Sequence, residues 1–211
     1  TGSLNLVLSD DLSGSIDING ASVTLQFDRV GQNARVTFNG NAGQWVSVGM
    51  TDATVGSVNC CATSTVSILK PDGTTLLSPF GFFSVGGGTP SVQLPTAGTY
   101  SIVVDPWNTN LGTVTLTLSE DLSPPISING PAPTLTNRPG QNGRLLFSGA
   151  AGQWVSVGVT NATAAAVNCC TTSTVSILKP DGSTLLSPVQ FYTVGNGTPS
   201  VQLPTTGTYA I

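Results

Sequence analysis

The residues with the most chemistry to offer are four cysteines, and they come as neighbours: Cys60–Cys61 within "SVNCC" and Cys169–Cys170 within "AVNCC". A trans peptide holds adjacent Cα atoms about 3.8 Å apart, below the roughly 4.4–6.8 Å usual for a disulfide. A bond within either pair therefore demands a strained turn. It closes no chain loop, so it adds almost none of the entropic stabilisation of a long crosslink. Its effect would be to lock the turn between "WVSVGMTDA" and "STVSIL". Free buried thiols and crosslinks between molecules are the other two readings. The vicinal disulfide is the expectation, because each pair has no other cysteine nearby in sequence. Two thiolates with no histidine and no third cysteine cannot fill a tetrahedral zinc site.

Little else in the chain could react. There is no histidine and a single glutamate, Glu120, so no serine has an evident base and no acid pair is recognisable by its spacing. No catalytic, cofactor-binding or metal-ligating residue is assigned, and an enzyme is not expected. Asp10–Asp11 and Glu120–Asp121 end equivalent segments and could hold Ca²⁺ together with Asp17 or Asp105. Solvated strand-end charges are the plainer reading, because no calcium-loop spacing is present. "GGG" at 86–88 precedes no helix and makes no phosphate cradle. The sequons at Asn161 and Asn196 have no counterpart at Asp52 and Gly87 and read as chance.

The tryptophans are candidates for contact rather than catalysis. In "QWVSVG", Trp45 and Ser47 alternate with Val46 and Val48, and Trp154 alternates with Val155 and Val157 in the same way. Either the tryptophans or the valines face the core. The expectation puts the valines inside and Trp45 and Trp154 outside, where they could stack on a glycan or a neighbouring subunit. Trp107 sits in the loop "DPWNTNLG", where a lid over a sandwich end is the plainer role.

These residues recur because the chain is a repeat. Aligning 31–102 on 140–211 without gaps gives 53 identities in 72 positions. "STVSILKPDGTTLLSP" returns as "STVSILKPDGSTLLSP", and "GTPSVQLPTAGTY" as "GTPSVQLPTTGTY". Upstream, "GSLNLVLSDDLS" from Gly2 returns as "GTVTLTLSEDLS" from Gly112. A period of about 110 residues is a domain repeat, since solenoid units are shorter. Good helix formers are scarce, and "ARVTF", "WVSVGM", "TVSIL", "YSIVV" and "TVTLTL" all alternate. Short period-two runs between "PDG", "NG" and "PTAG" turns predict strands, about eight per repeat. The fold expected is all-β, two tandem jelly-roll or immunoglobulin-like β-sandwich domains. Charged residues make up only 8% of the chain and the net charge is −4, so no basic patch for nucleic acid forms. No run approaches the roughly 18 apolar residues of a membrane span. The chain opens on neither an initiator methionine nor a signal peptide, and so reads as a mature or excised piece.

The strand pattern sets the boundaries. "YSIVVD" turns through "DPWNTNLG" into "TVTLTLSED", a hairpin that closes the first sandwich, so repeat 1 spans 12–121 and repeat 2 spans 122–211. Residues 1–11 then read as an orphan closing strand, with Leu4, Leu6 and Leu8 facing a core that lies elsewhere. The second repeat reaches Ile211, the equivalent of Ile102, without its closing hairpin. Two explanations are open: a window on a longer array, or a strand that completes a neighbouring molecule.

The blocks "GQNARVTFNGNAGQWVSV", "VSILKPDGTTL" and "LPTAGTYSIVVDP" resemble the tandem β-sandwich repeats of large bacterial secreted and cell-surface proteins. Those repeats accompany RHS/YD-repeat proteins and are similar to the bacterial pre-peptidase C-terminal domain. The resemblance covers essentially the whole chain, twice. It implies a jelly-roll-like sandwich, an extracellular or cell-surface location and a stalk, adhesive or structural role, and it brings no catalytic residue. The function expected is a structural segment of an extracellular fibre, stalk or sheath, with the chain itself as partner in a head-to-tail polymer. The alternative is a carbohydrate-binding or adhesive module with glycans as partners.

One outcome follows for the cysteines. Alkylation without reductant, followed by mass spectrometry, should leave Cys60, Cys61, Cys169 and Cys170 unmodified, with each adjacent pair lighter by two hydrogens. Carbamidomethyl groups on all four would exclude the vicinal bonds.

Overall fold

The structure, a computed structural model, describes residues 2–56, 63–163 and 173–211. All four cysteines lie outside the described residues. The regular elements among those described are all β-strands, with no helix. Contacts divide the chain into two compact units, Thr1–Asp121 with Arg138–Asn142, and Leu122–Asn137 with Gly143–Ile211.

The first unit carries β1 (Leu12–Ser15), β2 (Val23–Phe27), β3 (Ala34–Gly40), β4 (Trp45–Thr51) and β5 (Ser64–Leu69). These are followed by β6 (Thr75–Phe82), β7 (Gly87–Gly88), β8 (Val92–Gln93), β9 (Gly98–Asp105) and β10 (Gly112–Glu120). One sheet runs β1-β3-β9-β5-β6; the other runs β2-β10-β4-β7, with β8 also on β4. β1 lies parallel to β3, and the remaining ladders are antiparallel. Alternate side chains of the two sheets meet in one buried cluster. Val36, Phe38, Ile68, Tyr100 and Ile102 come from the first sheet, and Leu25, Phe27, Val46, Val48, Leu116 and Leu118 from the second. That is a β-sandwich, each inner face supplied by every second residue of its strands. Phe38 stacks on Tyr100 with ring centroids 5.3 Å apart. The Tyr100 hydroxyl donates to the Thr96 carbonyl at 2.6 Å, so the buried ring has its polar tip satisfied.

The second unit carries β11 (Leu146–Gly149), β12 (Trp154–Val155), β13 (Gly158–Val159) and β14 (Ser173–Leu178). It continues with β15 (Thr184–Phe191), β16 (Asn196–Gly197), β17 (Val201–Gln202) and β18 (Gly207–Ala210). Its larger sheet, β11-β18-β14-β15, reproduces local detail of the first unit. Phe147 stacks on Tyr209 at 5.5 Å, the Tyr209 hydroxyl donates to the Thr205 carbonyl at 2.6 Å, and the register shift between Val66 and Ile68 recurs between Val175 and Ile177. Among the described residues, the opposite layer consists of two short pairs, β12 with β17 and β13 with β16. A small core of Phe147, Ile177, Leu186, Leu203 and Tyr209 is buried there.

The "PDG" turns that join β5 to β6 and β14 to β15 are built alike. Asp72 accepts from the Thr74 hydroxyl at 2.6 Å and the Thr74 amide at 2.9 Å, and Asp181 accepts from the Ser183 hydroxyl at 2.6 Å and amide at 2.8 Å. The hydroxyl bond first, and the amide bond second, hold both carboxyls below the ordinary aspartate value. Because the folded value is the lower one, the contribution of each turn is complete above the unfolded pKa and is lost as the pH falls through the folded pKa. Carboxyl titration by NMR should therefore place Asp72 and Asp181 below the usual ~3.9, and Thr74→Val or Ser183→Ala should raise the neighbouring midpoint. Midpoints at the ordinary value in the unaltered chain would contradict the turn geometry.

Candidate functional site: the closing strand and its latch

β10 is the central strand of its sheet. Thr115–Glu120 pair with β4, Leu118 opposite Val48 and Leu116 opposite Met50, while Gly112–Leu116 pair with β2. Val114, Leu116 and Leu118 are fully buried, each contributing about 1.5–3 kcal/mol of apolar burial. Hydroxyl pairs Ser22–Thr117 at 2.8 Å and Thr24–Thr115 at 2.9 Å run along the other face. At the far end the Asn19 amide donates to the Leu118 carbonyl at 2.9 Å, and the Glu120 amide donates to Asn19 Oδ1 at 3.0 Å. Asn19 does this at a φ of 60°, a conformation that asparagine tolerates better than most residues.

A short loop, Arg138–Asn142, latches this strand in place. The Arg138 guanidinium donates to the Leu118 carbonyl at 3.2 Å and also to the Gly20 carbonyl. Gln141 donates to the Glu120 carbonyl at 2.7 Å, and Asn142 donates to the Thr89 carbonyl and the Ser91 hydroxyl at 3.1 and 3.0 Å. Ser91 in turn donates to Asp121 at 2.5 Å. Gly140 lies with its Cα against the backbones of Gly49 and Gly88, and a Cβ on Gly49 would overlap the Pro139 carbonyl. Only glycine lets main chains meet this closely. Sequence patterning did not reveal this contact, since it joins glycines and carbonyl oxygens and has no period. The recurrence of "GQN" at 31–33 and 140–142 was the one available signal.

β4 is covered on both faces, its inner side chains by the core between the two sheets and Gly49 on the other face by the latch. Val46, Val48 and Met50 are in the core, and Ser47 and Gly49 are buried too. Alternation read from the sequence allowed for one covered face only. The second unit repeats "WVSVG" at 154–158 with a different result. Trp154, Ser156 and Gly158 are exposed, and Val155, Val157 and Val159 are half-buried. Among the described residues, no strand of the second unit occupies the position that β10 holds in the first.

Residues 3–11, expected as a strand, form no ladder. An extended segment becomes a strand only when a neighbour accepts its amides, and the expected partner of this one lies outside the chain. Leu4, Leu6 and Leu8 are 80%, 87% and 93% exposed. The segment is nevertheless gripped as β10 is. Arg29 donates to Ser9 Oγ at 3.0 Å and to the Leu8 carbonyl at 3.2 Å, and Gln32 donates to the Asp10 carbonyl at 3.2 Å. Arg29 and Gln32 are the repeat equivalents of Arg138 and Gln141, and Leu8 and Asp10 those of Leu118 and Glu120.

The remaining candidates fall outside this cluster or at its edge. Trp45 is half-buried at the start of β4, where its carbonyl accepts from the Asp121 amide at 3.0 Å. Trp154 is 66% exposed and Trp107 47%. The Trp107 amide donates to Ser64 Oγ at 2.9 Å, tying the β9–β10 loop to β5. No three of the described Asp, Glu, His or Cys residues come together as a metal site would require.

Leucine-to-alanine changes at equivalent positions should separate the two environments. Leu118→Ala should lower the unfolding free energy by about 2–5 kcal/mol. Leu8→Ala should change it by less than about 0.5 kcal/mol, in urea melts at concentrations too low for association. Equal losses would mean that residues 3–11 already lie in a core.

No protein-family model and no curated protein matches the chain. Among solved structures it is similar to the pre-peptidase C-terminal domain of a collagenase from Bacillus anthracis, at 12% identity and a TM-score of 0.34, over 51% of this chain and 95% of that one. It is also similar to PliG of Aeromonas hydrophila, a periplasmic inhibitor of g-type lysozyme, at 18% identity and a TM-score of 0.32, again over 51% and 95%. Likeness at that level carries no argument about what the chain does.

Proposed function

We propose that the chain is a structural, non-catalytic segment of an extracellular fibre, stalk or sheath, whose β-sandwich units join head to tail by strand addition. One observation carries this reading. The same "WVSVG" strand is enclosed by Val114, Leu116 and Leu118 in the first unit and open in the second, while Leu4, Leu6 and Leu8 present the enclosing pattern to solvent. An unpaired strand edge beside an apolar core is adhesive, and an added strand satisfies its backbone and its core together. In the register of β10, Leu6 falls opposite Val159, Leu8 opposite Val157 and Asp10 opposite Val155. A contact between two different surfaces of the same molecule does not close on itself, and it propagates. The polar, nearly uncharged composition suits a molecule that packs against its own kind. A glycan-binding role draws on the exposed Trp107 and Trp154, and a glycan array on the same material tests it.

Deletion of residues 1–11 tests the join. Electron microscopy of the intact chain should show filaments, and the deleted chain should give short particles that lengthen again when intact chain is added. Filaments of unchanged length and order after the deletion would exclude strand-mediated joining. Boiling in SDS should release single chains, whereas a persistent ladder would point to a covalent array.

A further inference from the structure

Resting on that reading, the structure assigns a second surface to the same join. We propose that the loop Arg29–Asn33 of one copy seats Gly31 on Gly158 and Gly197 of the preceding copy, clamping the inserted strand and fixing its register. The first unit already contains the corresponding contact: Gly140, between Arg138 and Asn142, lies on Gly49 and Gly88. Each of those three glycines has a repeat equivalent, Gly31, Gly158 and Gly197, and at all three a Cβ would meet nothing within 4 Å. Both halves of the contact are therefore present and open.

The loop is already in its docking shape. Gly31 and Gly140 have φ values of 72° and 68°. The Gln32 amide donates to the Arg29 carbonyl at 3.1 Å, and the Gln141 amide donates to the Arg138 carbonyl at 3.0 Å. Its grip on the strand is set too, through the bonds from Arg29 to Leu8 and from Gln32 to Asp10. Strand and loop are thus tied together by side-chain bonds and would enter as two prongs. The receiving partners are also repeated: Asn33 faces the choice made by Asn142, with the Thr198 carbonyl and Ser200 hydroxyl in place of those of Thr89 and Ser91. Asn129, at the same φ of 60° as Asn19, stands ready for the Leu8 carbonyl and the Asp10 amide.

The second prong does what the strand alone cannot. Leu4, Leu6 and Leu8 recur every two residues, so a slip of two would keep leucines inward and still satisfy the ladder. Such a slip would carry Gly31 off the glycine pair and set a residue with a Cβ against the backbone. The loop therefore makes one register the only close-packed one.

Association of the full chain, followed by sedimentation velocity with melts at low concentration, tests the loop separately from the strand. Gly158→Val should keep the melting profile, because the site is open in the single chain, and should weaken association by at least about tenfold. Arg29→Ala, an exposed position, should do the same and guards against a folding defect in the valine variant. Leu6→Asp with Leu8→Asp should abolish association through the strand. If only that double variant loses association while Gly158→Val and Arg29→Ala keep it, the loop contact is overturned and the strand join stands. If none of the three loses it, or the unaltered chain stays monomeric at high concentration, both are overturned.

Discussion

The structure depends on one constraint: the "WVSVG" strand needs a partner along its edge, and β10 supplies that ladder together with three of the side chains that fill the core between the sheets. β10 pairs with β2 on one side and β4 on the other, so removing it would break two ladders and empty three core positions at once. The second unit repeats part of this arrangement. Its larger sheet keeps the stacked Phe147–Tyr209 pair and the hairpin irregularity, whereas its other layer, among the described residues, consists of two-residue pairs. Identical residues thus adopt different environments in the two units.

The latch complements the strand by different chemistry. Burial of leucines is non-directional and fixes little beyond which face is inward. Directional bonds from Arg138 and Gln141 to carbonyls at Leu118 and Glu120, with glycine main chains in contact, specify position along the strand. In a chain with six Lys and Arg in total, two of the arginines, Arg29 and Arg138, bind carbonyl oxygens of such a segment rather than carboxylates.

Much of the scaffold was legible in the sequence because it is periodic. "ARVTF", "WVSVGM", "TVSIL", "YSIVV" and "TVTLTL" fall in β3, β4, β5, β9 and β10, since alternation is what a half-buried strand imposes on side chains. The candidate site was less so. Leu4, Leu6 and Leu8 were recognisable only by their match to Val114, Leu116 and Leu118. The latch was invisible because close glycine contacts and side-chain bonds to carbonyls impose no period. Ser47 shows the limit of alternation: its parity predicts solvent, yet it is fully buried, because the outer face of β4 is also covered.

The two-sided pairing of β10 has a mechanical consequence. Its five pairs with β2 and six with β4 are staggered along a nine-residue strand. A pull along the strand axis loads both ladders in shear, so many bonds must yield together rather than unzip one by one. Resistance of that kind is governed by the rate of crossing a barrier rather than by equilibrium stability. A strand in this position can therefore carry tension long after its net binding free energy would suggest release.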